Sequence, residues 1–257
     1  MRVFRDQGDI KRKKRMATLL AMTGVALLGF AFWLSVTAGP HNTQGVLLAY
    51  IPLLGGTVLF HMGMQQVAQW NRSPRNDEAL DQLLKGLPEK YALLHYVQLD
   101  KQVIPHVLVH PGGLLALTVR ELSGTIRYRD GKWSRDRSRD GLSRFFGFGG
   151  PQLGNPSEDA AKDVAGLETV IARGDAKIDA DAAIVFINRT VDLEIEEPDY
   201  PVMNGEGLAQ FVRSLPVDPA FKAPDRDAIT AVLAMHGEEV VESDRPATRR
   251  PVKRRAA

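Results

Sequence analysis

The chain has 257 residues, 25% of them Asp, Glu, Lys or Arg, with a formal net charge of +2. That near-neutral balance excludes a uniformly basic nucleic-acid-binding chain. There is no cysteine, which excludes disulfides, thiol catalysis and cysteine-ligated metals and fits a reducing compartment.

Residues 1–15 carry Arg2, Arg5, Lys11, Arg12, Lys13, Lys14 and Arg15 and read as a basic cytoplasmic extension. From 16 to 71 there is no Asp, Glu, Lys or Arg. Within that stretch, 16–36 and 45–67 each supply the run of roughly 20 apolar residues that a membrane-crossing helix needs. Residues 37–44 contain Gly39 and Pro40 and read as a polar turn, so 16–70 is expected to be a transmembrane hairpin. Neither segment has the polar stripe of a soluble helix, and no small-residue cleavage site follows the first. Pro52 and the Gly55–Gly56 pair are tolerated in lipid. His61 in the second span reads as a packing residue rather than a proton relay. Arg72 and Arg75 follow the second span and the turn has no cation, so the basic flanks place both termini in the cytoplasm of a multi-pass membrane protein. Trp33 and Trp70 fall near the helix ends, where interfacial aromatics belong.

Apolar residues at helical spacing predict a helix over 77–87. Four strand-like runs follow, at 91–99, 103–110, 114–120 and 124–128, and their short connections predict an antiparallel meander. Residues 129–154 read as a long loop. Asn155, Pro156 and Glu158 form a helix start, with Ala160, Val164, Leu167 and Ile171 on one face. The apolar run 182–187 reads as a buried strand, and Val191, Leu193 and Ile195 alternate with acids in a half-wet one. Helices are expected around Leu208–Leu215 and from Asp225. The basic tail 238–257, with Arg249, Arg250, Lys253, Arg254 and Arg255, reads as disordered. The fold class is therefore α/β: two transmembrane helices, then a mixed sheet flanked by helices over 76–237. That domain is expected to fold alone around Leu80, Leu83, Val107, Val109, Leu115, Leu117, Val164, Leu167, Ile184 and Phe186.

The run 104–120 (IPHVLVHPGGLLALTVR) resembles the central strands of the nuclease-related domain (NERD) family. Gly124, Trp133 and the Asn155–Pro156 helix start fit the continuation of that pattern. The resemblance implies a restriction-endonuclease-like fold with a PD-(D/E)xK site. In the family pattern a metal-binding Asp stands where this chain has Pro105, a Glu where it has Thr118, and a Lys where it has Arg120. The Gln of the family's helix start corresponds to Asp159. Glu78 and Asp159 are the acidic remnants.

Phosphodiester cleavage of this type needs carboxylates to hold Mg²⁺, which polarises the phosphate and activates water. Pro105 offers no ligand, Thr118 a neutral hydroxyl, and Arg120 a permanent cation that cannot act as a base. The expectation is a pseudoenzyme: a membrane-anchored, catalytically inactive binding or scaffold module with no cofactor. The alternative is a divergent nuclease, using Mg²⁺, whose ligands have migrated to Glu78, Glu121 and Asp159.

Two further features bear on partners. Arg127, Arg129, Lys132, Arg135, Arg137 and Arg144 interleave with Trp133 and other aromatics over 127–148, a pattern that suits nucleic acid or anionic lipid headgroups. Asp130, Asp136 and Asp140 dilute that charge, and a solvated loop with locally packed aromatics has the same composition. His106 and His110 share a strand face without a third ligand and read as ordinary histidines.

Overall fold

The computed structural model describes residues 1–38, 42–70, 74–100, 102–136, 152–173, 178–235 and 237–240. The sheet begins before the membrane helices do. Strand β1 (Arg2–Arg5) leads through Asp6 into helix α1 (Gln7–Ala38), which is followed by α2 (Thr43–Trp70). The sequence presents residues 1–15 only as a basic extension. Instead, residues 2–5 form a strand, and the first turns of α1 carry the basic cluster.

Helices α1 and α2 are long and apolar enough to cross a membrane, and the most apolar window of each is only 17% and 11% buried within the protein. A core helix of a soluble protein would be mostly covered. Here Leu19, Phe32, Ile51 and Leu54 stand more than half exposed, so these surfaces call for a lipid rather than an aqueous surround. The helices touch at backbone distance. A side-chain carbon added at Gly24 would lie 2.4 Å from Phe60 N, and one added at Gly63 would lie 2.3 Å from Ala21 N. Only glycine admits that approach, the small-residue contact by which helices pack in lipid.

Helix α3 (Asn76–Leu83) opens the domain, followed by β2 (Ala92–Gln98), β3 (Val103–His110) and β4 (Gly113–Arg120) as antiparallel neighbours. The meander stops there. Strand β5 (Gly124–Arg129) turns away and heads a second, three-stranded sheet with β6 (Lys132–Asp136) and β8 (Val191–Ile195). The far edge of β4 is taken instead by β7 (Ala180–Phe186), running parallel after the crossover helix α4 (Pro156–Ile171). A parallel partner needs such a crossover, and α4 supplies it. Strand β6 lies in what the sequence reads as loop. The Asp130–Gly131 turn that makes it, with φ of 51° and 72°, is a two-residue hairpin turn.

Strand β9 (Val202–Asn204), helices α5 (Gly205–Ser214) and α6 (Ala223–Leu233), and β10 (Glu238–Glu239) complete the chain. The main sheet has the order β10-β1-β2-β3-β4-β7-β9. The end of the domain, expected to be disordered from 238, thus contributes one more short strand before 241–257, which lie outside the described residues. One face of the sheet packs Leu94, Val107, Ala116 and Ile184 against Ala160 and Leu167 of α4 and Leu233 of α6. The other packs Leu93, Leu108, Leu117 and Val185 against Leu80 and Leu84 of α3 and Leu208 of α5. The expected core residues are in these layers, with Val164 at the margin and Leu83 half-buried beside the fully buried Leu84.

Candidate functional site

The three positions that the family resemblance singles out do not form a ligand set. Pro105 is exposed in β3, whereas Thr118 in β4 is 3% exposed and its hydroxyl has no hydrogen-bond partner among the described residues. Arg120 points to α4. Its Nε donates to the Leu153 carbonyl at 3.0 Å, and its Nη2 forms an ion pair with Asp159. The cation in the family's Lys position thus engages the acid in the family's Gln position. Asp163, one turn further along α4, is buried, and that burial, with Asp159 nearby, raises its carboxyl to about 6.

The acids proposed as migrated ligands are spread over the fold. Glu78 is on α3 and Asp159 on α4, helices that cover opposite faces of the main sheet. Glu78 Oε2 accepts the Arg75 backbone N–H at 3.1 Å, a helix-capping contact. Among the described residues no group of three or more His, Asp or Glu is placed to hold a metal ion. A divalent cation of the Mg²⁺ type would therefore have to be held by fewer side chains than that, and the family positions offer it no carboxylate.

The basic and aromatic residues of 127–136 are occupied locally. Arg127 Nε donates to Glu194 at 2.5 Å and Arg129 Nε to Glu196 at 2.8 Å, pairing β5 with β8. Arg135 Nε donates to the Ser123 carbonyl at 2.9 Å. Trp133 Nε1 donates to Ser157 Oγ at 2.9 Å, while its ring packs on Tyr128 and Phe186. Lys132 is exposed. Arg137 and Arg144 lie outside the described residues.

A second cluster, on the α3 face of the sheet, escaped the sequence reading. Arg5 of β1 reaches two acids one helical turn apart, with Nε 2.9 Å from Asp77 Oδ2 and Nη2 2.5 Å from Asp81 Oδ2. The first of these contacts is ionic but too bent for a hydrogen bond. Asp81 Oδ1 lies 3.1 Å from His95 Nε2, and His95 Nδ1 lies 2.8 Å from His106 Nδ1. One proton must lie between those two imidazoles. Burial, with His95 alongside, holds His106 well below the usual histidine range, so it is neutral at pH 7. Asp77 is held at about 2: burial opposes its ionisation, but the Arg75 hydrogen bond and the Arg5 charge outweigh it.

Tyr96 closes the cluster, with its hydroxyl 3.4 Å from Asp77 Oδ1 and its ring against Trp70. Lys13 lies over both rings at 5.0 and 5.8 Å and pairs with Asp9. Tyr96 has φ of 60° in mid-strand, and the β2–β3 register passes over the Tyr96–Pro105 pair. Proline has no N–H to give that pair. His95 and Tyr96 consequently both reach the α3 side.

The family model for the nuclease-related domain, NERD, matches residues 74–187. Residues 74–187 are thus similar to the NERD domain. The match spans α3 to β7 and so covers the acids and histidines of both clusters, while Arg5 enters from outside it on β1 and Lys13 and Trp70 from the apolar helices. Searches of curated proteins and of solved structures find no match. The chain thus has two long apolar N-terminal helices and a NERD-related domain whose sheet is completed by a strand that precedes those helices.

The sequence held one hint of the second cluster. Asp77 and Asp81 are spaced four apart beside the apolar stripe of Leu80 and Leu84, where an exposed helix face would be expected to begin. Nothing local marks Arg5 or His95 as their partners.

Proposed function

We propose that this protein is an inactive relative of the nucleases whose fold it shares, anchored as a two-span hairpin with both termini in the cytoplasm. It acts there as a binding or scaffold module at the membrane face. The observation that carries the reading is the occupancy of the family's metal positions by Pro105, Thr118 and Arg120. Metal-assisted hydrolysis needs a cation held against the phosphate, and these side chains cannot hold one. The ion pair of Arg120 with Asp159 supports the reading further, because it uses up a nearby carboxylate.

Contact with lipid follows from the apolar helices. Within the proposed partner-binding surface, which also takes in Arg137, Arg144 and the basic tail, Lys132 is exposed, whereas Arg127, Arg129 and Arg135 are engaged within the domain. Anionic headgroups are favoured over nucleic acid because the domain is tethered beside them.

Calorimetric titration of the detergent-solubilised full chain with Mg²⁺ and Mn²⁺ tests the metal argument. The expected result is no saturable site up to about 10 mM, since one or two carboxylates are the usual minimum for Mg²⁺. A one-to-one site lost on Asp159→Ala or Glu121→Ala would instead support the migrated-ligand nuclease.

A further inference from the structure

The sheet order β10-β1-β2 makes the membrane hairpin an insertion within the domain. Strand β1 runs parallel to β2, with Val3 opposite Leu93 and Arg5 opposite His95. On its other side β10 pairs antiparallel, with Phe4 opposite Glu239. Val3 is 1% exposed and Arg5 is 6% exposed, so this strand is interior to the domain rather than laid on it.

What β1 fills is an acidic slot. Asp77 and Asp81 are 0% and 7% exposed and belong to α3, which lies beyond the hairpin in the chain. Arg75 pairs with Asp77 at 2.9 Å. Asp81 has His95 and Arg5 as its polar partners. Lys13 of α1 is committed to Asp9 and the rings of Trp70 and Tyr96. Without Arg5, two carboxylates closed off from water would share one permanent cation. Stranding a buried charge in this way is strongly unfavourable. The slot therefore fits an extended segment that ends in an arginine, and Asp6 alone separates that arginine from α1.

We propose that the β2 edge, together with Asp77 and Asp81, is a receptor site for the chain's own N-terminal strand, with Arg5 as the residue that holds it there. The domain then completes its sheet only while α1 holds β1 in place. A displacement of the membrane helices relative to the domain withdraws a strand and opens both carboxylates. This coupling does not depend on whether the domain cleaves nucleic acid.

Because the chain has no native cysteine, the test is disulfide trapping in membranes containing the full-length protein. Phe4→Cys with Glu239→Cys joins antiparallel partners, at a separation that a disulfide spans. Oxidation should close this bond in the parent, and should do so equally with Arg2→Ala, whose ion pair to Asp227 is exposed. Arg5→Ala should lower the yield roughly tenfold or more, the scale of effect for a stranded buried charge. A control pair across the second sheet, Thr125→Cys with Asp136→Cys, should close to the same extent with and without Arg5→Ala. Failure of the parent to close, an unchanged yield with Arg5→Ala, or equal loss at the control pair would each overturn the proposal.

Discussion

Arg5 Nη2 and Asp81 Oδ2 lie 2.5 Å apart across 76 residues of chain that include both apolar helices. The contact is buried at both ends, so removing one partner leaves the other uncompensated. Arg5→Ala should destabilise the domain by on the order of 3–5 kcal/mol. Arg2→Ala, which breaks only an exposed pair with Asp227, should cost under about 1 kcal/mol. Thermal or denaturant unfolding of the detergent-solubilised chain checks both. Equal effects would mean that burial at Arg5 carries no special weight.

The same geometry changes the expectation that residues 76–237 fold as a self-sufficient unit. A fragment covering 74–240 lacks β1, so β2 loses its parallel partner and β10 loses the strand it pairs with. Such a fragment should melt at a lower temperature than the domain in the full chain, and a peptide of residues 1–6 should raise its melting point. A fragment as stable as the full-chain domain would show that β1 contributes little.

Topology gives a separate prediction. The proposed orientation, with the flanks inside the cell and the turn outside, rests on the basic residues at the start of α1 and after α2. In intact cells a membrane-impermeant thiol reagent should label Thr43→Cys and leave Ser243→Cys unlabelled. The reverse pattern would invert the orientation.

Asp163 and His110 predict opposite pH responses. Asp163 has its pKa raised to about 6 by burial, so the folded state binds its proton more tightly than the unfolded chain does. The stability this gives is full below the unfolded value near 3.8 and is lost as pH rises through 6. Asp163→Asn should therefore stabilise the domain at pH 7 by about 1–3 kcal/mol, and have little such effect near pH 3.5. His110 is held at about 4, again by burial. Its neutral form is the folded one, so stability is full above 6.5 and falls as pH drops toward 4. His110→Gln should flatten that acid limb by about 2–3 kcal/mol. Unfolding curves at several pH values decide both, and an unaltered pH dependence in either variant would refute that assignment.

Most of the domain was readable from local pattern, and what was missed was non-local or short. Strands β3 and β8, and helix α4 with its Asn155 cap and Pro156, follow from alternation and capping chemistry. Strand β6 was also within reach, because Asp130–Gly131 is a standard two-residue hairpin signal. The departure of β5 from the meander was not, since it depends on β7 claiming the edge of β4 from more than 50 residues away. Strand β1 has four residues, too few to show a period, and its partner Ala92 lies beyond both apolar helices. At the candidate site, the substitutions at 105, 118 and 120 are visible in the sequence alone. The pairing of Arg120 with Asp159 and of Arg5 with Asp77 and Asp81 needed the fold.

The central proposal, that this NERD-related domain does not cleave nucleic acid, is met most directly by incubating the purified full chain with single- and double-stranded DNA and RNA in Mg²⁺ or Mn²⁺. Pro105, Thr118 and Arg120 supply no carboxylate to the metal, so the substrates should remain intact at the level of a metal-free control. Metal-dependent cleavage that disappears with Glu78→Ala, Glu121→Ala or Asp159→Ala would contradict the account and identify a working nuclease with relocated ligands.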